Sequence, residues 1–169
     1  MAEVDNKYDA FAVDSVIPLQ DRYYYYFIKD AIAQARYKIW ASLFIIGIDR
    51  EQDYQLEVRD ILNLLSVKHS LGVDVKIIIG DSDTVYEIRE LDEISRKFLQ
   101  SRGIAVKKYK GTKHSTHSKY MIIDDELIVV GSHNWTMNAF SKNREDSVAI
   151  YSRQFNSEMN YQFLRTWMD

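Results

Sequence analysis

The 169-residue sequence contains no cysteine, which excludes disulfides, thiolate zinc sites and a cysteine nucleophile. Proline occurs once, at Pro18, and glycine six times. No linker, repeat or low-complexity stretch divides the chain. We therefore expect one domain over residues 1–169, long enough to bury a sizeable core, in which residues 1–9 can be flexible.

Long apolar runs are also absent, and no segment approaches the roughly 18 apolar residues of a membrane-spanning helix. The first residues, MAEVDNKYDAF, lack the positive charge and the apolar stretch of a signal peptide. These absences predict a soluble, cytoplasmic protein without a membrane anchor. The mature form of a secreted protein, after removal of its signal peptide, would give the same pattern.

The formal net charge of −3 is unpromising for a protein that binds nucleic acid. The distribution of charge is more informative than its total. One segment holds eight basic residues with no acidic residue among them: Arg96, Lys97, Arg102, Lys107, Lys108, Lys110, Lys113 and Lys119. Such a run is typical of a solvated helix face and loop, or of a surface that binds phosphate groups.

Hydrophobic periodicity indicates an α/β domain built around a sheet. Strands are predicted at residues 10–19, 38–46, 73–79, 104–109, 118–124, 127–131 and 146–152. Helices are predicted at residues 22–36, 54–70, 88–101 and 154–167, with a short one near residue 137. Asp21 is the expected N-cap of the first helix, and Gly72 the C-cap of the second.

A run of four tyrosines opens the first predicted helix, at residues 23–26. Successive helical residues point in different directions, so the run cannot form one surface. We expect Tyr24 or Tyr25 to join a core-facing stripe with the others on its flanks. A self-association patch and a base-stacking surface are the alternatives.

Residues suited to phosphate chemistry follow the basic run. His117 and Lys119 are two apart where a predicted strand begins, and alternate side chains of a strand share one face, so these two should project together. Further along, Gly131, Ser132 and Asn134 offer a close backbone approach, a hydroxyl and an amide, all able to donate to phosphate oxygens. Taken singly, these are ordinary core and turn residues. Together they fit a phosphoryl oxyanion.

Two acidic residues accompany this group. Glu145 is either a surface carboxylate or, if near His117, an acceptor for the Nδ1 proton that leaves Nε2 free to attack phosphorus. Asp124 is most simply the start of a hairpin turn. His114 and His117 could be imagined as a zinc pair, but no third ligand has convincing spacing, so we expect no metal ion.

From His117 onward the chain reads HSKYMIIDDELIVVGSHNWTMNAFSKNRE, which has the pattern HxKxxxxDxxxxxxGSxN followed by NxE. This resembles the HKD signature of the phospholipase D superfamily, and it occurs once. The segment at residues 71–82, LGVDVKIIIGDS, also looks like the one that precedes the motif in these proteins. The chain is similar to the small, single-motif, Nuc-like endonucleases, which are homodimers.

The resemblance implies a phospholipase D-like layered fold, with a central mixed β-sheet flanked by helices, and a metal-free active site shared by two copies of the chain. His117 of one copy would form a covalent phosphohistidine, and His117 of the other would act as general acid and then base. Lys119 and Asn134 would hold the phosphate oxygens, and Glu145 would orient its histidine.

Two further signature residues would support this centre, Ser132 within the network of the histidine and Asp124 as a structural partner. The predicted catalytic set is thus His117, Lys119, Asn134, Glu145, Asp124 and Ser132. No cofactor is implied by the resemblance.

The substrate is less strongly indicated than the reaction, because relatives of this kind act on phospholipids or on nucleic acids. A lipid enzyme would need an exposed apolar entry surface, for which the tyrosine run is the candidate. The basic run favours a nucleic acid, DNA or RNA. The predicted substrate-binding residues are Lys107, Lys108, Lys110, Lys113, His114 and His133. A binding module that only recognises DNA is a further alternative, although such degenerate members lose the catalytic residues that this chain keeps.

Overall fold

The computed structural model describes residues 9–48, 56–80, 86–109 and 116–169. The strands are β1 Ser15–Gln20, β2 Lys38–Leu43, β3 Asp74–Ile79, β4 Ala105–Lys108, β5 Lys119–Ile123, β6 Leu127–Gly131 and β7 Asp146–Tyr151. The helices are α1 Tyr23–Gln34, α2 Leu56–Ser70, α3 Tyr86–Gln100, α4 Met137–Ser141 and α5 Arg153–Met168. Each predicted element has a counterpart, although the first strand begins five residues later than its predicted start at Ala10.

The seven strands form one mixed sheet in the order β1-β7-β6-β5-β2-β3-β4. Strands β2, β3 and β4 are parallel, and every other neighbouring pair is antiparallel. The predicted mixed sheet is therefore confirmed. Lys119 at the start of β5 pairs with Leu43 at the end of β2, and Gly131 at the end of β6 pairs with Ser147 near the start of β7. One end of the sheet consequently collects most of the motif.

The two faces of the sheet are covered unequally by the described helices. On one face α1 to α4 pack over a large core, to which they contribute Ile28, Ile61, Leu99 and Phe140. On the other face α5 packs through Phe163 against Ile78 and Ile122. The alternation of side chains along each strand supplies both cores. None of the helices in the described ranges is long and apolar enough to cross a membrane.

Asp124 lies at the end of β5 opposite to Lys119, in the predicted turn between β5 and β6. Its carboxylate accepts the backbone N–H groups of Arg36, Tyr37 and Lys38 at 3.0–3.3 Å. It thereby joins the β5–β6 turn to the turn between α1 and β2. Our inclusion of Asp124 in the catalytic set is not supported by this position, since β5 separates it from Lys119.

The start of α1 also differs from the prediction. Asp21 is not the N-cap; Arg22 occupies that position and makes no side-chain capping bond. Asp21 instead adopts a left-handed conformation with φ of 49°, and its carboxylate bonds elsewhere. Tyr24 and Tyr25 are both buried, so two tyrosines join the core stripe where one was expected.

Candidate active site

His117 and Lys119 meet at the motif end of the sheet. The ammonium nitrogen of Lys119 lies 3.1 Å from Nδ1 of His117 and donates to the His117 carbonyl oxygen at 2.8 Å. His117 is exposed and Lys119 is half-buried. The segment that leads into β5 thus presents an accessible imidazole, with the first residue of the strand as a cation beside it.

Phe44, directly after β2, forms an aromatic wall for this pair. Its ring centroid lies 4.5 Å from that of His117 and 5.4 Å from the Lys119 nitrogen. Gly80 lies behind it, where a Cβ atom would come within 2.8 Å of the Phe44 carbonyl oxygen. The absence of a side chain at Gly80 therefore lets Phe44 lie close to the end of β3. Sequence reasoning missed Phe44, because it reads as one more apolar residue of a buried strand.

The contact with Lys119 determines which ring nitrogen of a neutral His117 carries the proton. An ammonium group only donates hydrogen bonds, so a neutral imidazole in this contact accepts at Nδ1 and carries its proton on Nε2. No hydrogen bond between described residues joins Glu145 to His117. The predicted Glu145–His117 contact is therefore not made within a single chain.

Partial burial lowers the pKa of Lys119, and the negative charge of Glu145 partly opposes this effect. The pKa shift has the sign expected of a cation at a site that is partly closed to water. Desolvation of this kind strengthens the attraction between an ammonium group and a bound anion.

Gly131 ends β6 where it runs closely against β7, and Ser132 follows it. A Cβ atom at Gly131 would lie 2.2 Å from Oγ of Ser147, so a side chain cannot be accommodated there. The hydroxyl of Ser132 accepts the N–H of Asp146 at 3.0 Å and donates to Oε2 of Glu145. Ser132 therefore holds Glu145 at the motif end of the sheet, as the supporting role requires.

Asn134 lies beside the chain that continues from β2. Its neighbour Trp135 bridges to Ile46, and the N–H of Trp135 donates to the Ile45 carbonyl oxygen at 3.1 Å. The amide oxygen of Asn134 is buried and has no hydrogen-bond partner among the described residues. Phe44 lies two residues before Ile46. The loop after β6 thus brings Asn134 to the same end of the sheet as Phe44.

Glu145 is held from several sides. Its Oε1 accepts from Nδ2 of Asn143 at 2.9 Å, and its backbone N–H donates to the Asp21 carboxylate at 3.0 Å. The backbone N–H of Asp21 donates to the Glu145 carbonyl oxygen at 2.9 Å. Asp21 therefore belongs to the surroundings of the site, which its expected role as a helix cap did not reveal.

His133 does not face the substrate side of the site, contrary to our prediction. Only 1% of its surface is exposed, and its ring stacks on Tyr24 with centroids 4.1 Å apart. Nδ1 lies 2.7 Å from Ser147 Oγ and Nε2 lies 2.9 Å from the Asp21 carbonyl oxygen. Both nitrogens are thus occupied.

Burial lowers the pKa of His133. The hydrogen bond to the Asp21 carbonyl and three nearby carboxylates, those of Glu145, Asp21 and Asp146, oppose this shift without reversing it. The neutral ring is therefore the form that the fold favours.

The basic run is only partly available to a substrate. Arg96 donates to Glu93 at 2.8 Å, Lys97 lies 3.5 Å from the same carboxylate, and Lys107 donates to the Trp167 carbonyl oxygen. Lys107 and Lys108 nonetheless end β4 at the motif end of the sheet, beside a cleft of about 500 Å³ that Arg96 also lines. The predicted substrate-binding residues Lys110, Lys113 and His114 lie outside the described residues.

Carboxylates and histidines do not gather into a metal-binding group in the ranges that the structure describes. Those ranges exclude His114, so the His114–His117 alternative has no described geometry.

Comparison with known proteins relates this arrangement to one family. Residues 28–167 match the family model described as "Cardiolipin synthase, PLD-like domain". A mitochondrial cardiolipin hydrolase of Chlamydomonas reinhardtii is 32% identical over 108 residues, which cover 64% of this chain and 46% of that protein. The chain thus spans about half the length of the curated relative.

Two solved structures share the fold. Nuc from Salmonella typhimurium, a phospholipase D family member, superposes with a TM-score of 0.75 at 22% identity, covering 90% of this chain and 93% of that one. NucT from Helicobacter pylori gives a TM-score of 0.73 at 18% identity, covering 91% and 96%. The family model spans most of the sequence and the fold agrees, which confirms the resemblance: the chain belongs to the phospholipase D superfamily and has the fold of its small Nuc-like members.

Proposed function

We propose that this protein is a metal-independent phosphodiesterase, and specifically an endonuclease that cleaves DNA, with RNA as the alternative nucleic-acid substrate. One observation carries the proposal. The exposed imidazole of His117 is held beside Lys119 at the end of the sheet where Ser132, Asn134 and Glu145 also gather. This arrangement offers a nucleophile, a cation and hydrogen-bond donors to one phosphate group.

The proposed reaction has two displacements at phosphorus. In the first, Nε2 of His117 forms a P–N bond while the P–O bond to the leaving alkoxide breaks, and a second, protonated histidine gives that alkoxide its proton. In the next, water attacks phosphorus, loses a proton to the second histidine and releases His117. Lys119 and Asn134 would stabilise the charge of both pentavalent states.

Attack and protonation take place on opposite sides of phosphorus, so one histidine cannot perform both. Because the chain carries one motif, we propose that a second copy supplies the second His117 across a twofold axis. The shared site would also change which ring nitrogen of His117 carries the proton. Lys119 of the same chain can only donate to Nδ1, which leaves the proton on Nε2. Glu145 of the partner subunit could instead accept a proton from Nδ1, so that Nε2 is free to attack.

The sheet face under α5 is the surface that we propose for this contact. Val16 in β1 is 51% exposed, Pro18 is exposed, and Val130 and Val148 are half-buried, so the described part of α5 covers this apolar face incompletely. Pairing between β1, β7 and β6 aligns Pro18, Val148 and Val130 in one row. An isologous dimer would bury such a row against its own copy.

Nucleic acid is favoured over lipid by the cleft beside β4. Lys107 and Lys108 end this strand and Tyr109 follows it, at the same end of the sheet as Lys119. A groove that holds cations and an aromatic side chain suits a phosphate backbone with bases. Glu93, which pairs with Arg96, and Asp169 also line this cleft, so they reduce, but do not remove, its positive charge.

A phospholipid phosphodiesterase is the second candidate. The relative that is 32% identical is named a mitochondrial cardiolipin hydrolase, and the matching family model is named for cardiolipin synthase. Exposed Tyr23 and Tyr26 on α1 would be the described candidates for contact with lipid.

One assay separates these functions. Purified protein treated with EDTA is given single-stranded DNA, duplex DNA, RNA and cardiolipin-containing vesicles, beside His117→Ala and the control His69→Ala, a histidine of α2. We expect cleavage of nucleic acid that survives EDTA and is lost in His117→Ala, which should still bind DNA. Cleavage of lipid alone would establish the second candidate. Binding without cleavage by the wild type would favour a recognition module, and loss of activity in EDTA would contradict the metal-free mechanism.

A further inference from the structure

We propose that Asp21 and His133 are positioning residues, which together fix Glu145 for its part in the reaction. This inference rests on the proposed function of Glu145, but the contacts that carry it are independent of the substrate. Neither residue touches His117 or Lys119 through a described hydrogen bond. Their effect would pass through the backbone that precedes β7.

Asp21 forms hydrogen bonds with both backbone groups of Glu145, its N–H and its carbonyl oxygen. The Asp21 N–H donates to the Glu145 carbonyl oxygen at 2.9 Å, and the Asp21 carboxylate accepts the Glu145 N–H at 3.0 Å. The second carboxylate oxygen accepts from Arg144 at 2.9 Å. A single side chain and its own amide thus fix the position of two successive residues.

This geometry depends on an uncommon backbone conformation. Asp21 has a φ of 49°, which costs an L-residue roughly 1 kcal/mol, and Asp and Asn tolerate it better than most residues. The turn directs the Asp21 amide and carboxylate to Glu145 while its carbonyl oxygen points to His133. The conformation persists only if the surrounding contacts hold it.

His133 supplies one of the contacts that hold Asp21, whose carbonyl oxygen also accepts the N–H of Tyr24 at 3.3 Å. A carbonyl oxygen only accepts, so Nε2 of His133 carries the proton and donates to Asp21 at 2.9 Å. Nδ1 then accepts from the Ser147 hydroxyl at 2.7 Å. Stacking on Tyr24 fixes the plane of the buried ring, and the Tyr24 hydroxyl in turn accepts from Trp135 at 3.1 Å.

The ring therefore connects three segments that meet around Glu145. They are the loop after β6, in which His133 follows Ser132; the second residue of β7, Ser147; and the turn between β1 and α1, which holds Asp21. Ser132 binds the Glu145 side chain and Asp21 binds its backbone. A shift of His133 would move both supports of the carboxylate together.

Matched pairs of variants test the proposal. Asp21→Ala removes the carboxylate and is strained at positive φ, whereas Asp21→Asn keeps an acceptor for the Glu145 N–H. His133→Phe keeps the ring and its stacking but loses both hydrogen bonds, whereas His133→Gln keeps a donor for the Asp21 carbonyl oxygen. Asp74→Asn, an exposed ion-pair partner of Lys76 at the other end of the sheet, is the control.

We expect Asp21→Ala and His133→Phe to lower kcat by about ten- to hundredfold with little change in KM, since small displacements of catalytic groups have effects of this size. The Asn and Gln variants should keep most of the wild-type kcat. Amide hydrogen exchange at Glu145 should accelerate in the two disruptive variants and remain slow in the conservative ones and in the control.

Equal kcat in all variants, or equal losses within each pair, would overturn the proposal. Unchanged exchange at Glu145 in Asp21→Ala would also overturn it. A wild-type protein that cleaves no phosphodiester would refute the proposed function instead, and the exchange measurements would then decide whether Asp21 and His133 fix Glu145.

Discussion

Asp124 completes the signature of the family, yet its contacts predict that its replacement will affect stability and not catalysis. Its carboxylate accepts three backbone N–H groups, those of Arg36, Tyr37 and Lys38. Asp124→Ala removes both acceptor oxygens, leaves the three N–H groups without this partner and places alanine at a φ of 50°. Asp124→Asn keeps one oxygen acceptor and a residue type that tolerates this conformation.

The cost can be worked out from these bonds. A buried donor left without a partner costs about 1–3 kcal/mol. The Lys38 amide is buried, and those of Arg36 and Tyr37 are partly buried and can be reached by water. The left-handed conformation adds about 1 kcal/mol for alanine. We therefore expect Asp124→Ala to lower the free energy of unfolding by about 3–5 kcal/mol. In a domain of this size, that lowers the Tm by roughly 6–20 °C.

Thermal denaturation and single-turnover cleavage, measured well below the lowest Tm, test this expectation. Asp124→Asn should lower the free energy of unfolding by only about 1–2 kcal/mol, because it retains part of the hydrogen bonding. The neighbouring Asp125→Asn is the control: its exposed side chain pairs with the largely buried side chain of Lys38 and bonds to Tyr37 but accepts no backbone N–H of the described residues, so the free energy of unfolding should fall by less than about 1 kcal/mol. The folded Asp124 variants should cleave at nearly the wild-type rate. A hundredfold loss of the rate in Asp124→Asn with an unchanged Tm would refute a structural role.

Other perturbations have equally definite outcomes. Phe44→Ala should lower kcat about tenfold because His117 loses the ring beside it, whereas Phe44→Tyr should retain activity in the same kinetic assay. Burial lowers the pKa of His133 in the folded protein. The contribution of this residue to the free energy of unfolding should therefore be complete above pH about 6.5, the pKa of histidine in the unfolded chain. It should fall as the pH decreases from there towards the lower pKa of the folded protein. His133→Phe should lose this component when urea unfolding is compared at pH 7.5 and pH 5.5, and an unchanged pH dependence would contradict the assignment. Gly131→Ala should reduce the yield of folded protein or cost about 1–3 kcal/mol in urea unfolding, because its Cβ would overlap Ser147; wild-type stability would show that the strands separate easily.

Much of the fold was predictable because local patterns agree with it. Apolar alternation located the strands, and Gly72, with a φ of 92°, ends α2 as its position after the periodic residues predicts. The two-residue spacing of His117 and Lys119 likewise predicted that they lie close together, although His117 precedes β5 and only Lys119 belongs to the strand. These features depend on neighbours in sequence.

The errors arose where tertiary contacts decide the outcome. Asp21 reads as a helix cap, but its partner Glu145 is 124 residues away and cannot be identified from local sequence. His133 reads as a loop histidine beside a phosphate site, and only the packing of Tyr24 and Ser147 around it shows that it is buried.

The positive charge that the basic run offers to a substrate was overestimated for a different reason. Glu93 lies one helical turn before Arg96, just outside the segment that was counted, and it pairs with Arg96 and Lys97 at spacings of three and four residues. This helical pairing could have been foreseen from the sequence.

The central claim is that one active site, containing two copies of His117, is shared by two chains. Rapid acid-free quenching of the enzyme with a labelled phosphodiester, followed by peptide mapping and a size measurement, tests it directly. We predict a covalent phosphoryl adduct on His117 of a dimer, at no more than one adduct for every two chains. An adduct on another residue, one adduct on every chain, or full activity from a monomer would contradict the account.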